Sequence, residues 1–212
     1  VASLMSVNDM NQVQDKALET MESSSRQSYD DLIKQQVGVA MSLLSDLNDE
    51  YKAGKYTLEE AKTLAADEIR QLRYGDEGYF WIDQSDGTNV VLLGSDTEGT
   101  NRMETKDADG YQMVKEIIRV AVEDGGGYTD YVFPKEGETE SSPKRAYSEY
   151  FEPFDWVVGT GNYTDYIDDD IAAHDKEFSS FVKKEAASYI GFSVVIVIVL
   201  ALLILYLSLI HI

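Results

Sequence analysis

Two adjacent basic residues occur in a strand-like segment of a strongly acidic chain. The chain has 18 basic and 39 acidic residues, a formal net charge of −21, and the segment is PKRAYSEYF, residues 143–151. Side chains alternate along a strand, so Lys144 and Arg145 point to opposite faces and only one can enter a given site. A carboxylate ligand inside an acidic protein needs a fixed cation. We predict that Lys144 or Arg145 supplies it; a solvated surface pair is the alternative.

A second segment places amphipathic aromatic residues on one face of a strand. In GYFWIDQ, residues 78–84, alternation puts Tyr79, Trp81 and Asp83 side by side. A purely structural core strand favours aliphatic side chains, whereas a small-molecule pocket uses aromatic residues with a polar end. We predict Tyr79 and Trp81 as pocket residues, with core packing as the alternative. Asp83 is interpreted as a turn residue before Gly87.

Two further side chains are candidates for the same pocket. Arg102 lies in EGTNRME, between the expected hairpin and the next helix, and loops often carry binding groups. A surface salt bridge to Glu104 or Asp107 is the alternative. Tyr131, in the third expected strand, is predicted to contribute its hydroxyl.

Composition excludes several classes of function. Such an acidic chain lacks the basic face that nucleic acid requires. It contains no cysteine, DADG (residues 107–110) lacks most ligands of a calcium loop, and His174 stands alone among acidic residues. We therefore predict no metal, no cofactor and no enzymatic activity.

The periodicity of the chain predicts an α+β fold. Residues 1–51 read as one long amphipathic helix, and TLEE, with Thr57 and Glu60, reads as the capping box of a second helix ending near residue 72. A third helix is expected at about 110–123. The two N-terminal helices are expected to pack on a five-stranded antiparallel sheet, with strands near 78–83, 88–93, 127–133, 144–151 and 156–162.

The C-terminal part predicts a membrane anchor. After an α/β core at 52–163 and a juxtamembrane helix at 164–185, residues 186–207 contain no charge. At about 1.5 Å per residue these 22 residues reach about 33 Å, the thickness of a bilayer core. The last six residues, LSLIHI, match a back-translated sequencing adaptor, so we expect 207–212 to be foreign and the chain to be a fragment.

Several motifs together resemble the single Cache sensor domain of bacterial methyl-accepting chemotaxis proteins, which also occurs in sensor histidine kinases. They are RYGDEGYFWI, EGTNR, GGGYTDYVFPK and PKRAYSEYFEPFDWVVGTGNYTDYIDD. The resemblance implies a PAS-like sheet, an extracytoplasmic position at the bacterial inner membrane and binding of small ligands, often short carboxylates. Many members carry His-Pro after the first hairpin, where this chain has Leu93-Gly94.

The resemblance at PK-x-x-Y points to Lys144 together with Tyr147. Strict alternation puts these two residues on opposite faces, and a bulge near Pro143 would be needed to bring them together. Without a bulge, Arg145 with Tyr147 is the better pair.

The leading hypothesis is the sensory module of a transmembrane chemoreceptor that binds a small carboxylate and passes a helix shift across the membrane. A sensor kinase input domain and a ligand-free, membrane-anchored interaction domain are the alternatives. A concave pocket with a buried cation and tyrosine hydroxyls would favour sensing. We also expect a homodimer through the N-terminal helix, because its apolar stripe over residues 1–47 exceeds what one small sheet can cover.

Overall fold

The computed structural model describes residues 7–75, 78–135 and 137–210. The chain divides into two compact units, Ser25–Tyr166 and a second unit formed by Val1–Ser24 with Ile167–Ile212. The predictions made for residues 1–6 and 211–212 lie outside the described residues. The sheet and the candidate site belong entirely to the unit Ser25–Tyr166.

Four α-helices form where the apolar period of the sequence indicates them. They are α1 (Val7–Lys52), α2 (Leu58–Gln71), α3 (Met113–Val122) and α4 (Asp165–Ile210). The predicted capping box is present: the Thr57 side chain accepts a hydrogen bond from the Glu60 amide, and the Glu60 carboxylate accepts one from the Thr57 amide. These bonds satisfy amides that the helix leaves without partners, which fixes the start of α2.

The strands form one antiparallel sheet. They are β1 (Arg73–Tyr74), β2 (Gly78–Gln84), β3 (Asn89–Leu92), β4 (Gly127–Pro134), β5 (Ser141–Phe151) and β6 (Trp156–Tyr163). Their order is β1-β2-β6-β5-β4, and β3 pairs with β2 beside β1. The five predicted strands are confirmed. The two-residue β1 was not predicted, because two residues are too few to show a period.

The pairing register decides which side chains share a face. Strand β5 pairs continuously with β4 from Ser141 and with β6 from Lys144, with no shift in either register. The bulge considered near Pro143 is therefore absent from β5, and Lys144 and Tyr147 lie on opposite faces. A shift does occur between β2 and β3, at Ile82/Asp83.

Helices cover both faces of the sheet. On one face, α1 and α2 bury a cluster that includes Leu44, Ile69 and Trp156. On the other face, α3 packs on Tyr79 and Trp81 through Val114, Ile117 and neighbouring apolar residues. The unit thus has its two N-terminal helices on one side and the single helix α3 on the side that carries the aromatic face of β2.

The last helix is long and apolar enough to cross a membrane. Within α4, the stretch Asp165–Ile204 qualifies by length and composition as a candidate span, and none of its apolar window is buried within the protein. The helix begins directly after β6, and Asp165 at its start forms an ion pair with Lys135 at 2.7 Å.

Candidate functional site

Lys144 lies in a cage of aromatic rings between the sheet and α3. The residue is only 2% exposed, and its Nζ donates a hydrogen bond to the Tyr79 hydroxyl at 2.7 Å. The Nζ atom lies 4.2 Å from the Tyr79 ring centroid and 4.9 Å from that of Tyr163. The ring centroids of Trp81 and Phe133 lie at 5.7 and 5.4 Å. We call Tyr79, Trp81, Phe133 and Tyr163 the aromatic cage; cation–π attraction offsets part of the cost of burying the ammonium.

A buried ion pair stands beside this cage. Asp83 is fully buried and receives two parallel hydrogen bonds from Arg102, Nε to Oδ1 at 2.6 Å and Nη2 to Oδ2 at 2.5 Å. Asn89 Nδ2 donates a third, at 2.9 Å, to Asp83 Oδ1. Burial lowers the pKa of Arg102, but the hydrogen bonds and the charge of Asp83 outweigh it and raise this pKa overall. Arg102 is therefore charged.

The loop between β3 and α3 places Arg102 beside β2. The Arg102 amide donates to the Gly87 carbonyl at 2.8 Å, so the loop follows the hairpin turn. Gly87 has a φ of +89°, and a Cβ there would lie 2.7 Å from the Met103 Cβ. Only glycine permits both this backbone conformation and this close approach. The Glu98 carboxylate accepts hydrogen bonds from the backbone amides of Leu92 and Gly94, and these bonds fix the path of the loop.

A small cavity lies between the sheet, α3 and this loop. Its volume is about 10 Å³, room for about one water molecule. Its lining consists of aromatic side chains, aliphatic side chains and one charged side chain. The residues are Tyr79, Trp81, Leu92, Arg102, Met113, Val114, Ile117, Tyr131 and Phe133. Lys144 is not part of the lining, but its ammonium contacts Tyr79 and Phe133, which are.

Trp81 and Tyr131 bring further polar atoms to this cavity. The indole Nε1 of Trp81 is buried and has no hydrogen-bond partner among the described residues. The indole ring covers Gly159, where a Cβ would come within 2.4 Å of the ring, so a glycine is required beneath it. Burial raises the pKa of Tyr131 well above 10. The neighbouring Tyr79 also raises this pKa, and the charge of Arg102 lowers it by a smaller amount. Tyr131 therefore remains a neutral hydroxyl at physiological pH.

Arg145 and Tyr147 lie on the opposite face of the sheet. Arg145 forms two hydrogen bonds to the Asp30 carboxylate of α1, at 2.6 and 2.9 Å, and one to Asp130 of β4 at 2.6 Å. The Tyr147 ring stacks against Tyr128 at 4.9 Å. These contacts join α1 to the sheet. The structure does not bring Arg145 or Tyr147 to the cavity, and we drop both from the candidate site.

The structure thus brings together five of the seven residues predicted for the site. Those that meet at the cavity or the aromatic cage are Tyr79, Trp81, Arg102, Tyr131 and Lys144. The interpretation of Asp83 as a turn residue is wrong, since it is buried and ion-paired. Its shared face with Tyr79 and Trp81 was the signal that could have identified it. Arg102 pairs with this residue rather than with Glu104 or Asp107.

The aliphatic wall from α3 was not predicted as part of the site. Met113 and Ile117 lie on the side of α3 that packs on the sheet, and the sequence does not show which surface that side covers. For metals, the described residues contain no cluster of three or more His, Cys, Asp or Glu side chains able to hold an ion. The chemistry that this site offers is recognition by a cation, hydroxyls and apolar contacts.

The sequence profile of the family named Single Cache domain 2 matches residues 25–177. The match includes the sheet, the aromatic cage and the start of α4. The chain belongs to this family. The predicted family is therefore confirmed, and the α+β fold described above is the one predicted. Single Cache domains are sensor domains.

Two relatives are a chemotaxis protein and a sensor kinase. The methyl-accepting chemotaxis protein McpP of Pseudomonas putida is 29% identical over 122 residues, which are 57% of this chain and 22% of McpP. The sensor histidine kinase MctS of Rhizobium johnstonii is 30% identical over 152 residues, 71% of this chain and 32% of MctS. The chain thus spans a third or less of each relative.

Solved Cache domains share the fold. A Cache chemosensory domain studied for carboxylic acid recognition is 28% identical, with a TM-score of 0.64 over 66% of this chain and 97% of that one. A periplasmic sensor domain of a chemotaxis protein is also 28% identical, with a TM-score of 0.62 over 66% and 96%. The single Cache domain described here therefore has the architecture of chemotaxis sensor domains.

Proposed function

We propose that this single Cache domain is the extracytoplasmic sensor of a bacterial membrane receptor and binds a small carboxylate of two to four carbons. The observation that carries the proposal is the burial of Lys144 within the aromatic cage, with its Nζ on the Tyr79 hydroxyl. The ammonium is held by the Tyr79 hydroxyl and by aromatic ring faces, and a fixed cation inside an acidic protein is the group that a carboxylate ligand needs.

The groups around Lys144 suit a carboxylate with a short carbon chain. The ammonium can form a charge-assisted hydrogen bond to a carboxylate oxygen, and the Tyr79 hydroxyl and the Trp81 Nε1 can donate further hydrogen bonds. Leu92 of β3 and the aliphatic side chains of α3, Met113 and Ile117, would contact the carbon chain. The related Cache domain studied for carboxylic acid recognition supports the same ligand class.

Binding requires the side chains of the site to move. The cavity holds about 10 Å³, less than any carboxylate needs. Tyr79 and Phe133 line it and also lie next to the Lys144 ammonium, so these are the rings that we expect a ligand to displace. A binding step that moves side chains on several strands is suited to signalling, because a ligand shifts an equilibrium only through different contacts in two states.

The route toward the membrane begins on β6. Lys144 pairs across the sheet with Tyr163, the last residue of β6, and α4 begins at Asp165. We propose that displacement of the cage is passed through Tyr163 to α4, and that α4 carries it across the inner membrane as a small piston or rotation.

The complete receptor is proposed to be a homodimer. Leu32 and Val39 of α1 remain 41% and 58% exposed and lie seven residues apart, the spacing of a coiled-coil seam. Sedimentation of the chain in detergent should give a dimer that dissociates on dilution. A Val39→Glu variant should shift it to monomer; a chain that stays monomeric at high concentration would contradict the dimer.

Calorimetric titration tests the ligand. The chain in lipid nanodiscs would be titrated with acetate, propionate, butyrate and pyruvate, and with uncharged propionamide as the control. We expect at least one acid to bind and to raise the melting temperature, as any ligand specific for the native state does, and propionamide to be inert. Stabilisation by the amide alone would contradict the carboxylate. Binding of no small molecule would favour the ligand-free interaction domain.

The output of the receptor is proposed from the relatives. McpP supports a chemotaxis receptor and MctS a sensor kinase, and we favour the first. Fusing the chain to the cytoplasmic part of each relative and measuring ligand-dependent kinase control would distinguish them, because only the matching output should respond to the acid.

A further inference from the structure

The buried pair of Asp83 and Arg102 has a role that the binding of one carboxylate does not explain. Arg102 lines the cavity, yet its guanidinium is engaged through Nε and Nη2 by the two oxygens of Asp83. Its side chain is only 9% exposed and that of Asp83 is fully buried. The pair therefore presents a cation to the cavity with the matching negative charge directly behind it.

We propose that Asp83 is a specificity-determining residue: by neutralising Arg102, it makes the site reject ligands that carry a second carboxylate. The inference rests on the proposed binding of a small carboxylate beside Lys144. A second carboxylate on the ligand would need a cation besides Lys144. Arg102 is placed to be that cation, and the charge of Asp83 cancels the attraction it would exert.

The sequence builds this pair with several supporting contacts. Asn89 Nδ2 donates to Asp83 Oδ1 at 2.9 Å and to the Ile82 carbonyl at 3.1 Å. The register shift at Ile82/Asp83 sets Asn89 opposite Asp83. Three donors hold the carboxylate while one side of Arg102 faces the lining. A surface salt bridge needs no such support, whereas a buried one is costly and is retained where specificity requires it.

The size of the effect follows from the distance at which a second ligand charge would lie. We take a separation of about 6–8 Å between the second ligand carboxylate and Asp83, and an effective dielectric constant of about 20. The repulsion between these two unit charges then lowers the affinity for the ligand about 30- to 100-fold. Removing the charge of Asp83 should therefore improve binding of a dianion by about this factor relative to a monoanion of the same size.

Propionate and malonate form a matched ligand pair, because malonate replaces the methyl group of propionate by a second carboxylate. Affinities for both would be measured by titration of the full chain in nanodiscs at about pH 8, where both carboxyl groups are ionised. Wild type should prefer propionate. Asp83→Asn keeps the size of the side chain and an acceptor for Arg102, and should shift the preference toward malonate about 30- to 100-fold.

Asp130→Asn is the matched control. It removes the same formal charge from an exposed carboxylate, 69% exposed, that pairs with Arg145 on the opposite face of the sheet. Screening by water should leave the ratio of the two affinities unchanged within about threefold. An equal shift in Asp130→Asn and Asp83→Asn would mean that only the overall charge matters, and would overturn the proposal.

A double variant keeps the test decisive if Asp83→Asn alone fails to fold. Asp83→Asn with Arg102→Gln replaces the ion pair by a neutral hydrogen-bonded pair, and the ratio should remain that of wild type. A ratio changed about tenfold or more would show that Arg102 acts as an uncompensated cation, and would overturn the proposal. If wild type binds propionate but Asp83→Asn keeps its preference, this inference fails alone. If wild type binds neither acid, the proposed function fails with it.

Discussion

Lys144 and Arg145 are neighbours of the same charge on β5, and they have opposite surroundings. Lys144 is 2% exposed and enclosed by the aromatic cage. The Arg145 side chain is 27% exposed, is held by Asp30 and Asp130, and lies 4.8 Å above the Tyr128 ring. Lys144 lies among aromatic rings, three of which also line the cavity, and Arg145 contacts carboxylates of α1 and β4.

The difference follows from strand alternation, which sends two consecutive side chains to opposite faces of the sheet. On the Arg145 face, complementary charges and a hydrogen bond from Tyr29 to the Arg145 carbonyl join α1 to the sheet. On the Lys144 face, the ammonium donates to the Tyr79 hydroxyl and lies over aromatic ring faces. The first arrangement stabilises the fold, and the second is the one that we propose to bind a ligand.

Replacing Lys144 is expected to have the largest effect on binding. Lys144→Met keeps the length of the side chain but removes the charge-assisted hydrogen bond, worth about 1.5–3 kcal/mol, or about 10- to 150-fold in propionate affinity. Titration measures the affinity, and thermal denaturation checks that the variant is folded. Unchanged affinity would remove Lys144 from the site and leave Arg102 as the remaining cation.

Replacing Arg145 should show the reverse pattern. Arg145→Met leaves Asp30, whose side chain is 17% exposed, without its partner, so we expect a loss of about 1–2 kcal/mol in the free energy of unfolding. That corresponds to about 2–8 °C in melting temperature. Propionate affinity should change less than about threefold. A large loss of affinity with an intact melting temperature would reverse the assignment of the two faces.

A smaller effect is expected at the hydroxyl that contacts Lys144. Tyr79→Phe keeps the ring of the cage and removes one hydrogen bond, worth about 1 kcal/mol, so propionate affinity should fall about fivefold. Tyr128→Phe is the control on the other face, where the hydroxyl donates to the Asp30 carbonyl at 3.1 Å. It should leave affinity unchanged, and equal losses in both variants would argue against a specific role of Tyr79.

The smallest expected effect is on the melting temperature of Tyr131→Phe, compared with wild type, at alkaline pH. Burial raises the pKa of Tyr131 well above 10 in the folded state, while the unfolded value is about 10. The phenol keeps its proton to higher pH when folded, so its contribution to stability is complete below about pH 10 and is lost as the pH rises further. Melting temperatures recorded from neutral to strongly alkaline pH should fall less steeply for Tyr131→Phe. Identical slopes would contradict the burial of this hydroxyl.

Much of the fold could be predicted from the sequence, because helices and strands each impose a characteristic spacing on the apolar residues. The capping box at Thr57, the hairpin at Gly87 and the five longer strands have local signals, and the structure confirms them. The opposite orientation of Lys144 and Arg145 also follows from alternation alone. What alternation does not provide is which face is covered by α1 and which by α3.

The predicted site was incomplete for the same reason. Arg145 is a candidate as one of two adjacent bases and Tyr147 through the resemblance at PK-x-x-Y, but their partners Asp30 and Tyr128 come from distant segments. Asp83 was misinterpreted because its partner Arg102 is 19 residues away, across a loop. Contacts between distant segments leave no period in the sequence, so ion-pair partners and the wall formed by α3 required the structure.

A structure of the chain crystallised with propionate tests the assignment of the two faces most directly. We expect a carboxylate oxygen within about 3 Å of Lys144 Nζ, the Tyr79 or Phe133 ring displaced to admit it, and the contacts of Arg145 with Asp30 intact. A carboxylate bound to Arg145, or to Arg102 with Lys144 left in its cage, would contradict the account.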